Sequence, residues 1–450
     1  MKPMSPFSRL SGLSRRSFLA SSLAAAAVPH AVRAQVSSEP DVVVIGAGAA
    51  GLGAAKALMA DGRSVVVLEA KDRIGGRAWT ESETFGVPFD HGCSWIQTAK
   101  TREFVAAAEE YNFHLQLHDG ADEAVFVGDR EATDFELERY WDAYERVENA
   151  IADAGRKGLD VPASTVVPEM PWSAASQAWM TMGMSVDFDE MSTLDWWSGA
   201  DSGPRYIVEE GYGTLIARLG ADVPVILSSP VSGIAWGGDG VTVTTPSGDI
   251  RARTCIVTVS TGVLNAGTIA FDPVLPPAHR QAIADLPMGL LAKVALQFEG
   301  TRFSFRTDEW LTYLVPEVLP APACYFLTWP FNQDLMIGFM GGDFAWEMSA
   351  AGTEAAVDFA LGEVVAMVGS KARERFVKGT LTQWASDPFT LGAYAALRPG
   401  AHGARQILAE PLDDRLFFAG EAAAGAYYAT CGGAWWSGER AAREVIAALG

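Results

Sequence analysis

An α/β fold is predicted, and two neighbouring segments carry the prediction. Asp41-Val-Val-Val-Ile-Gly46-Ala-Gly48-Ala-Ala50-Gly51 reads as a buried apolar strand entering a glycine turn that opens an alanine-rich helix. Ser64-Val-Val-Val-Leu-Glu69 reads as a second apolar strand ending in a carboxylate, 23 residues after Gly46. Strand, turn, helix and acid in this order form the dinucleotide fingerprint of a Rossmann-like domain. Gly46 permits the tight turn, Gly48 lets backbone approach a pyrophosphate, and Gly51 brings helix and strand together. The helix N-terminus supplies N–H donors and positive dipole to phosphates, and Glu69 would accept from a ribose hydroxyl.

The elements that follow alternate in kind. Asp134 to Ala154 places Leu137, Trp141, Tyr144, Val147 and Ile151 on one helical stripe, with Thr133 or Asp134 as cap and Gly155 as stop. Residues 160–205 are richer in Pro, Met and Trp and include Asp187, Asp189, Glu190 and Asp195 beside Trp196-Trp197. Strand signals return at Val225 to Leu227, Gly240 to Thr245 and Cys255 to Val259. Further on, Val294, Leu296 and Phe298 alternate as in a half-buried strand that begins with Lys293 pointing inward. The alternation implies a nucleotide-binding domain assembled from 39–115, 206–285 and 396–450. An inserted α+β domain is expected over 116–205 and 286–395.

Length and charge narrow the class. The 450 residues, 49% of them hydrophobic, exceed what one core usually supports, so two interleaved domains are expected. The net charge of −21 argues against nucleic acid and anionic lipid as partners and for attraction of cations. Residues 1–34 hold five basic residues and no acid, and their removal takes the charge to −26. Ser14-Arg15-Arg16-Ser17-Phe18-Leu19, an Ala/Ser/Leu stretch to Val28 and the small-residue site Val32-Arg-Ala34 form a twin-arginine leader pattern. The stretch is too short and alanine-rich to anchor in a membrane. A soluble periplasmic protein, exported folded, is the expectation. Cys93, Cys255, Cys324 and Cys431 lack metal-ligand spacing and read as buried small residues, and no metal site is indicated.

The segments after Glu69 resemble those of the flavin-containing amine oxidases. Leu68-Glu-Ala-Lys71-Asp-Arg-Ile-Gly75-Gly76-Arg77-Ala-Trp-Thr80 resembles the family's pyrophosphate-touching turn. Leu416-Phe-Phe-Ala-Gly420-Glu421 resembles the C-terminal strand and turn whose acid meets the ribityl region of FAD, and Ile256 to Leu264 resembles the strand beneath the cofactor. Gly211-Tyr-Gly213-Thr-Leu215, Ser229-Pro-Val231, Gly262-Val-Leu264 and Phe271-Asp-Pro-Val-Leu-Pro276 are similar to the polyamine oxidase and lysine-specific histone demethylase branch. There the residue at Val231 holds the adenine end through its backbone. The resemblance spans nearly all of the chain after residue 40. It implies FAD bound by Gly46, Gly48, Ala50, Gly51, Glu69, Lys71, Gly76, Arg77, Ser94, Trp95, Val231, Gly420, Glu421, Thr430 and Cys431.

The same resemblance implies the chemistry. Lys293, in Leu286-Pro-Met-Gly289-Leu-Leu-Ala-Lys293, matches a lysine that hydrogen-bonds a water next to flavin N5 and assists reoxidation by dioxygen. A buried ammonium is costly without partners, and the plainer reading of the stretch is a snorkelling strand-end lysine. Trp384 to Tyr394 resembles the segment above the ring, and Tyr427 to Gly438 the segment under it. Tyr394 and Tyr427 are therefore expected as a facing aromatic pair, with Tyr428 competing for the second place. Trp95, in Asp90-His-Gly92-Cys-Ser94-Trp95-Ile-Gln97, matches a residue beside the isoalloxazine. Gln97, Trp384 and Tyr428 would touch substrate.

Two departures from the family pattern matter. Ala393 stands where covalently flavinylated relatives carry cysteine, so FAD is expected without a covalent link. Gln97 stands where polyamine oxidases often place a glutamate or histidine for a distal ammonium, which puts polycations in doubt. The expectation is an FAD-dependent amine oxidase giving an imine, then aldehyde or ketone, and peroxide. Alternatives are an amino-acid oxidase or 2-monooxygenase using Arg205, Arg302 or Arg306 for a substrate carboxylate, a periplasmic dehydrogenase with a cytochrome acceptor, and a non-catalytic FAD-binding partner protein.

Overall fold

The computed structural model describes residues 39–97, 100–119, 122–200, 203–300, 302–315 and 318–450. The leader expected over 1–34, with Arg15 and Arg16, lies outside the described residues. Five short strands form a parallel sheet in the order Val225–Ile226, Val65–Leu68, Val42–Ile45, Thr254–Val257, Leu416–Phe418. Residues 42–45 are at most 3% exposed, as expected of a parallel strand covered on both faces. The helices Ala49–Ala60 and Cys431–Leu449 pack together on one side. The strand read into Cys255 to Val259 ends at Val257, because Ser260 caps the helix Thr261–Ala266 by accepting from the Val263 N–H at 3.2 Å.

A second, seven-stranded sheet runs Phe376–Leu381, Leu291–Phe298, Leu335–Gly341, Tyr325–Thr328, Glu309–Tyr313, Glu123–Val127, Arg130–Glu131. The strand expected to begin at Lys293 begins two residues earlier, at Leu291, and both of its faces are covered. Its alternation therefore separates two cores rather than core from solvent. Val294, Leu296 and Phe298 pack toward the helix Thr353–Val368, while Ala295 joins Phe339, Tyr325 and Tyr140 on the opposite face. Lys293 shares the parity of Ala295, so it points to the second face.

The predicted helix is Asp134–Arg156, and its start follows from a capping box: Thr133 Oγ1 accepts from the Glu136 N–H at 3.3 Å and Glu136 accepts from the Thr133 N–H at 2.8 Å. Gly155 is not the stop. It lies inside the helix, where an added Cβ would fall 2.2 Å from Trp197 Cβ and 2.7 Å from the Thr193 carbonyl oxygen. Close approach of the helix Thr193–Ser198 requires that glycine, and termination falls to Lys157 and Gly158. Trp141, placed on the buried stripe by spacing, is 48% exposed, and Tyr140 turns inward instead. Among the described residues no helix is long and apolar enough to cross a membrane.

Candidate active site

The parallel sheet delivers the glycine turn to its C-terminal edge. Gly46 has φ +100°, and a Cβ on Gly51 would lie 1.9 Å from the Gly46 carbonyl oxygen, so strand and helix are in backbone contact. The helix Ala49–Ala60 starts at Gly48 with neither a side-chain cap nor an acid in its first turn, and Ala50 is buried in that turn. Its leading N–H groups are the unmet donors that a phosphate satisfies. Gly75 forms a β-bridge to Gly48, and Gly76 (φ +60°) backs onto it. Glu69 is pinned by the Ala47 and Lys71 N–H groups at 2.7 and 2.9 Å, and the Ser229 N–H donates to its carbonyl at 2.8 Å, bringing in the loop of Val231. This backbone-walled slot with a fixed carboxylate at its end fits a dinucleotide.

Arg77 joins three segments around the next stretch of the groove. Its guanidinium donates to the Ala393 carbonyl at 2.8 Å and to Glu421 at 3.0 Å, and Glu421 also accepts from the Ala395 and Ala429 N–H groups. Arg77, Ser260, Thr261, Gly420 and Glu421 line one cleft. Lys71 is committed elsewhere: its ammonium pairs with Asp387 and lies 5.3 Å from the Trp384 ring centroid. Trp384 is 5% exposed, and its indole N–H donates to the His91 carbonyl at 2.8 Å. It thereby packs against the turn that carries His91. Thr430 caps the last helix by accepting from the Gly433 N–H at 2.9 Å.

Lys293 is 3% exposed, yet all three donors of its ammonium are met by protein: the Asp90 carbonyl at 2.8 Å, the Gly92 carbonyl at 2.5 Å and Ser94 Oγ at 2.6 Å. The plain snorkelling reading fails, because the head group is buried with the stem. Burial pushes the amine down to about 8, with Asp90 and Cys93 opposing. His91 is likewise pushed down by burial and stacks on Trp79 at 4.0 Å. The 90–94 turn is thus held from both sides, by Lys293 and by Trp384.

An aromatic wall extends from the lysine. The Phe339 ring lies 5.7 Å from Lys293 Nζ, 5.9 Å from Trp95 and 5.4 Å from Trp310. Trp95 stacks on Trp310 at 5.9 Å, and Trp179 meets Trp310 edge-on at 5.2 Å and Tyr325 at 5.5 Å. Trp95 Nε1–H donates to His118 Nδ1 at 3.2 Å while His118 Nε2 meets the Asp308 carbonyl at 3.0 Å, and burial pushes His118 down, toward the neutral ring these bonds require. Of these residues only Trp95 was read from sequence. The register that sets Phe339 opposite Lys293 belongs to strand pairing, which no local motif announces.

The tyrosines divide. Tyr394 donates to the Gly183 carbonyl at 2.7 Å and Tyr428 to the Asp195 carbonyl at 3.2 Å, and both line one cavity with Met184 and Met191. Tyr427 turns to Trp436, 6.0 Å away. Gln97 follows the strand Trp95–Ile96 and is half-buried. Two of the acids in the 160–205 segment are engaged inside: Asp195 pairs with Arg405, and Asp187 accepts from the Asp343 N–H at 2.9 Å. Arg306 pairs with Asp122 at 2.7 Å and Arg302 with Asp334 at 3.0 Å. The surface trio His114, Glu209 and Glu210, absent from the sequence reading, brings ligand-type atoms within 4.8 Å of one another.

The family model described as flavin containing amine oxidoreductase matches residues 49–164 and 191–446. Polyamine oxidase 4 of Oryza sativa subsp. japonica is 30% identical over 92% of this chain and 90% of its own length. Lysine-specific histone demethylase 2 of Homo sapiens is 27% identical over 90% of this chain, which spans 53% of that protein. Cyclohexylamine oxidase from Brevibacterium oxydans IH-35A superposes with TM-score 0.76 at 22% identity, over 91% of this chain and 99% of that one. A putrescine oxidase double mutant does so with TM-score 0.74 at 22% identity, over the same shares. At that identity the likeness is one of fold.

Proposed function

The chain belongs to the flavin-containing amine oxidoreductases and is an FAD-dependent amine oxidase, and from that premise we propose that it oxidises amines with one amino group and an apolar body, using dioxygen as acceptor. The observation that carries this reading is the buried Lys293 ammonium at the end of an aromatic wall. When bound, FAD takes a hydride from the carbon beside the amine nitrogen and later passes its electrons on. The residues of the slot would hold it: Gly46, Gly48 and Gly51 at the pyrophosphate, Glu69 at the ribose, Arg77 and Glu421 farther along.

The chain's own groups orient the substrate and manage charge. Trp95, Trp179 and Trp310, each half-buried, offer apolar faces and exclude water, with the buried Tyr325 and Phe339 packed behind them, which favours an aromatic or aliphatic body over a second ammonium. A substrate ammonium must lose its proton before oxidation, and a dry site with a cationic lysine nearby favours the neutral amine. Lys293, holding its proton below about pH 8, places a fixed positive charge where negative charge develops on dioxygen. Imine release and hydrolysis then give aldehyde or ketone.

Anaerobic flavin reduction across matched monoamines and diamines tests the substrate class. Aryl- and cycloalkyl-monoamines should reduce the flavin with the higher kcat/KM, and Gln97→Glu should shift the ratio toward the diamine. Preference of the unaltered enzyme for spermidine at physiological salt would restore the polyamine reading that the rice relative's name carries. Peroxide released per amine consumed separates dioxygen from a cytochrome acceptor. FAD is held without a covalent bond on this reading, Ala393 supplying no nucleophile, so acid precipitation should leave all yellow colour in the supernatant. Flavin retained by the pellet would contradict it. Folded export by a twin-arginine leader accords with loading FAD in the cytoplasm and belongs to the same proposal.

A further inference from the structure

His118 is buried, and both of its ring nitrogens meet partners of fixed polarity. Trp95 Nε1–H can only donate, so the Nδ1 that meets it at 3.2 Å carries a lone pair. The Asp308 carbonyl can only accept, so the Nε2 that meets it at 3.0 Å carries the proton. Geometry alone thus selects one neutral tautomer. The backbone around the ring is held on both sides. The strands Trp95–Ile96 and Leu115–Leu117 flank Tyr206–Val208, and the ladder continues through the His118 N–H, which donates to the Arg205 carbonyl at 2.8 Å. Across from it, Asp308 sits at φ +60°, an uncommon conformation for a residue other than glycine. Its carboxylate accepts from Gln116 Nε2–H at 2.6 Å and from the Phe331 N–H at 3.0 Å, and its own N–H donates to the Thr328 carbonyl at 2.8 Å. The carbonyl offered to His118 is therefore fixed in place. The imidazole also touches both stacked tryptophans, 6.0 Å from Trp95 and 6.3 Å from Trp310.

We propose that His118 is a positioning residue for amine oxidation: its Nε2–H tautomer, clamped by Asp308, fixes the Trp95 indole parallel to Trp310 and so sets the apolar wall that receives the body of the substrate. The inference rests on the reading of that wall as the substrate's. Trp95 and Trp310 stack 5.9 Å apart at 15°. A half-buried indole can show a face or an edge, and the bond from its N–H to His118 decides which. Trp95 also follows directly on Ser94, an acceptor of the Lys293 ammonium, so its rotation is set beside that buried charge. Protonation undoes the clamp, because an N–H on Nδ1 would face the indole N–H, donor against donor. Burial pushes the ring below its ordinary 6.5; the Asp308 carbonyl and carboxylate oppose that shift, and Arg205 adds to it. The wall is therefore set at neutral pH and released in acid.

KM and kcat for benzylamine and propylamine, measured across about pH 5 to 8 on flavin-loaded His118→Leu and His118→Asn, test the clamp. His118→Leu fills the space without either bond. It should raise KM for benzylamine about tenfold at neutral pH, the scale of one lost hydrogen bond, with kcat and flavin content little changed and propylamine hardly affected. His118→Asn, whose Oδ1 stands where Nδ1 was, should restore most of that KM. The ratio of unaltered to His118→Asn KM cancels the titration of the amine itself and should rise as pH falls through the His118 value. In the nitrogen NMR spectrum of histidine-labelled holoenzyme, the signal that His118→Asn removes should show Nδ1 bare and Nε2 protonated at neutral pH. A proton on Nδ1, a KM ratio that is flat with pH, or a His118→Leu enzyme that loses kcat or flavin at unchanged KM would overturn the proposal. Where His118→Leu fails to take up flavin, the ratio and the spectrum still decide. If the unaltered enzyme prefers a diamine, the monoamine reading falls, and the same comparison made with that diamine still tests the clamp, which keeps the two failures apart.

Discussion

Lys293→Met slows the reaction of reduced flavin with dioxygen by about 10²–10⁴-fold, the range that positioned proton-handling groups contribute, while reduction by amine changes little. The expectation follows from an ammonium with no freedom. Its three donors end on the Asp90 and Gly92 carbonyls and Ser94 Oγ, so the charge is fixed and needs no reorganisation as dioxygen is reduced. The pH profile is the sharper readout. Burial pushes the amine down to about 8, so reoxidation should weaken as pH rises through that value, and the methionine variant should lack this limb. Stability carries the opposite sign. Between about pH 8 and the ordinary lysine value of 10.5 the unfolded chain holds the proton that the folded chain has released, so stability rises with pH across that window. The methionine variant loses that rise as well, which thermal melts at pH 8 and pH 10 would read. Three abandoned acceptors also cost about 1–3 kcal/mol each where they stay dry, so flavin content and melting temperature must accompany the kinetics. Unaltered reoxidation in a fully flavinylated variant would make the lysine structural only.

What was legible in the sequence was what is local. Gly46, Gly51 and Glu69 were legible because turn, helix start and strand-end acid lie within one βαβ unit, where spacing alone determines contact. Thr133 was readable as a cap for the same reason. Lys293 was readable as unusual only through resemblance, since its three acceptors lie about 200 positions earlier in the chain. The aromatic wall was not legible. Trp179, Trp310, Tyr325 and Phe339 meet because a helix and three strands happen to neighbour one another, and each residue alone looks like ordinary core. Gly155 misled because a glycine after a helical stripe reads as a stop, whereas here it makes room for Trp197. Asp195 stands among Asp187, Asp189 and Glu190 with nothing local to mark it, and only the fold supplies its partner from position 405.

That partner gives the largest expected loss of stability. Arg405 and Asp195 side chains are 4% and 7% exposed and meet through two bonds, Nε to Oδ1 at 2.9 Å and Nη2 to Oδ2 at 2.8 Å. The guanidinium also donates to the Ala395 carbonyl at 3.0 Å and lies 4.0 Å from the Tyr428 ring centroid. Arg405→Leu would strand a carboxylate in the interior and cost about 3–5 kcal/mol of unfolding free energy, as broken buried pairs do. Asp195→Leu would strand the guanidinium at a similar cost. The double variant should recover much of either loss, because neither charge is left unpaired, although the Ala395 carbonyl still lacks its donor. Denaturant midpoints of the four holoproteins measure this coupling, and additive single losses would deny it. A second readout separates positioning from mere support. Arg405 holds Tyr428 from one side and the Tyr394–Ala395 backbone from the other, and both tyrosines line one cavity. Asp195→Asn, which keeps the shape and one accepting oxygen but removes the charge and the second acceptor, should therefore raise KM for the amine more than it lowers kcat, with flavin content unchanged. A fall in kcat alone at unchanged KM would place the tyrosine pair outside substrate binding and leave the ion pair a structural clasp.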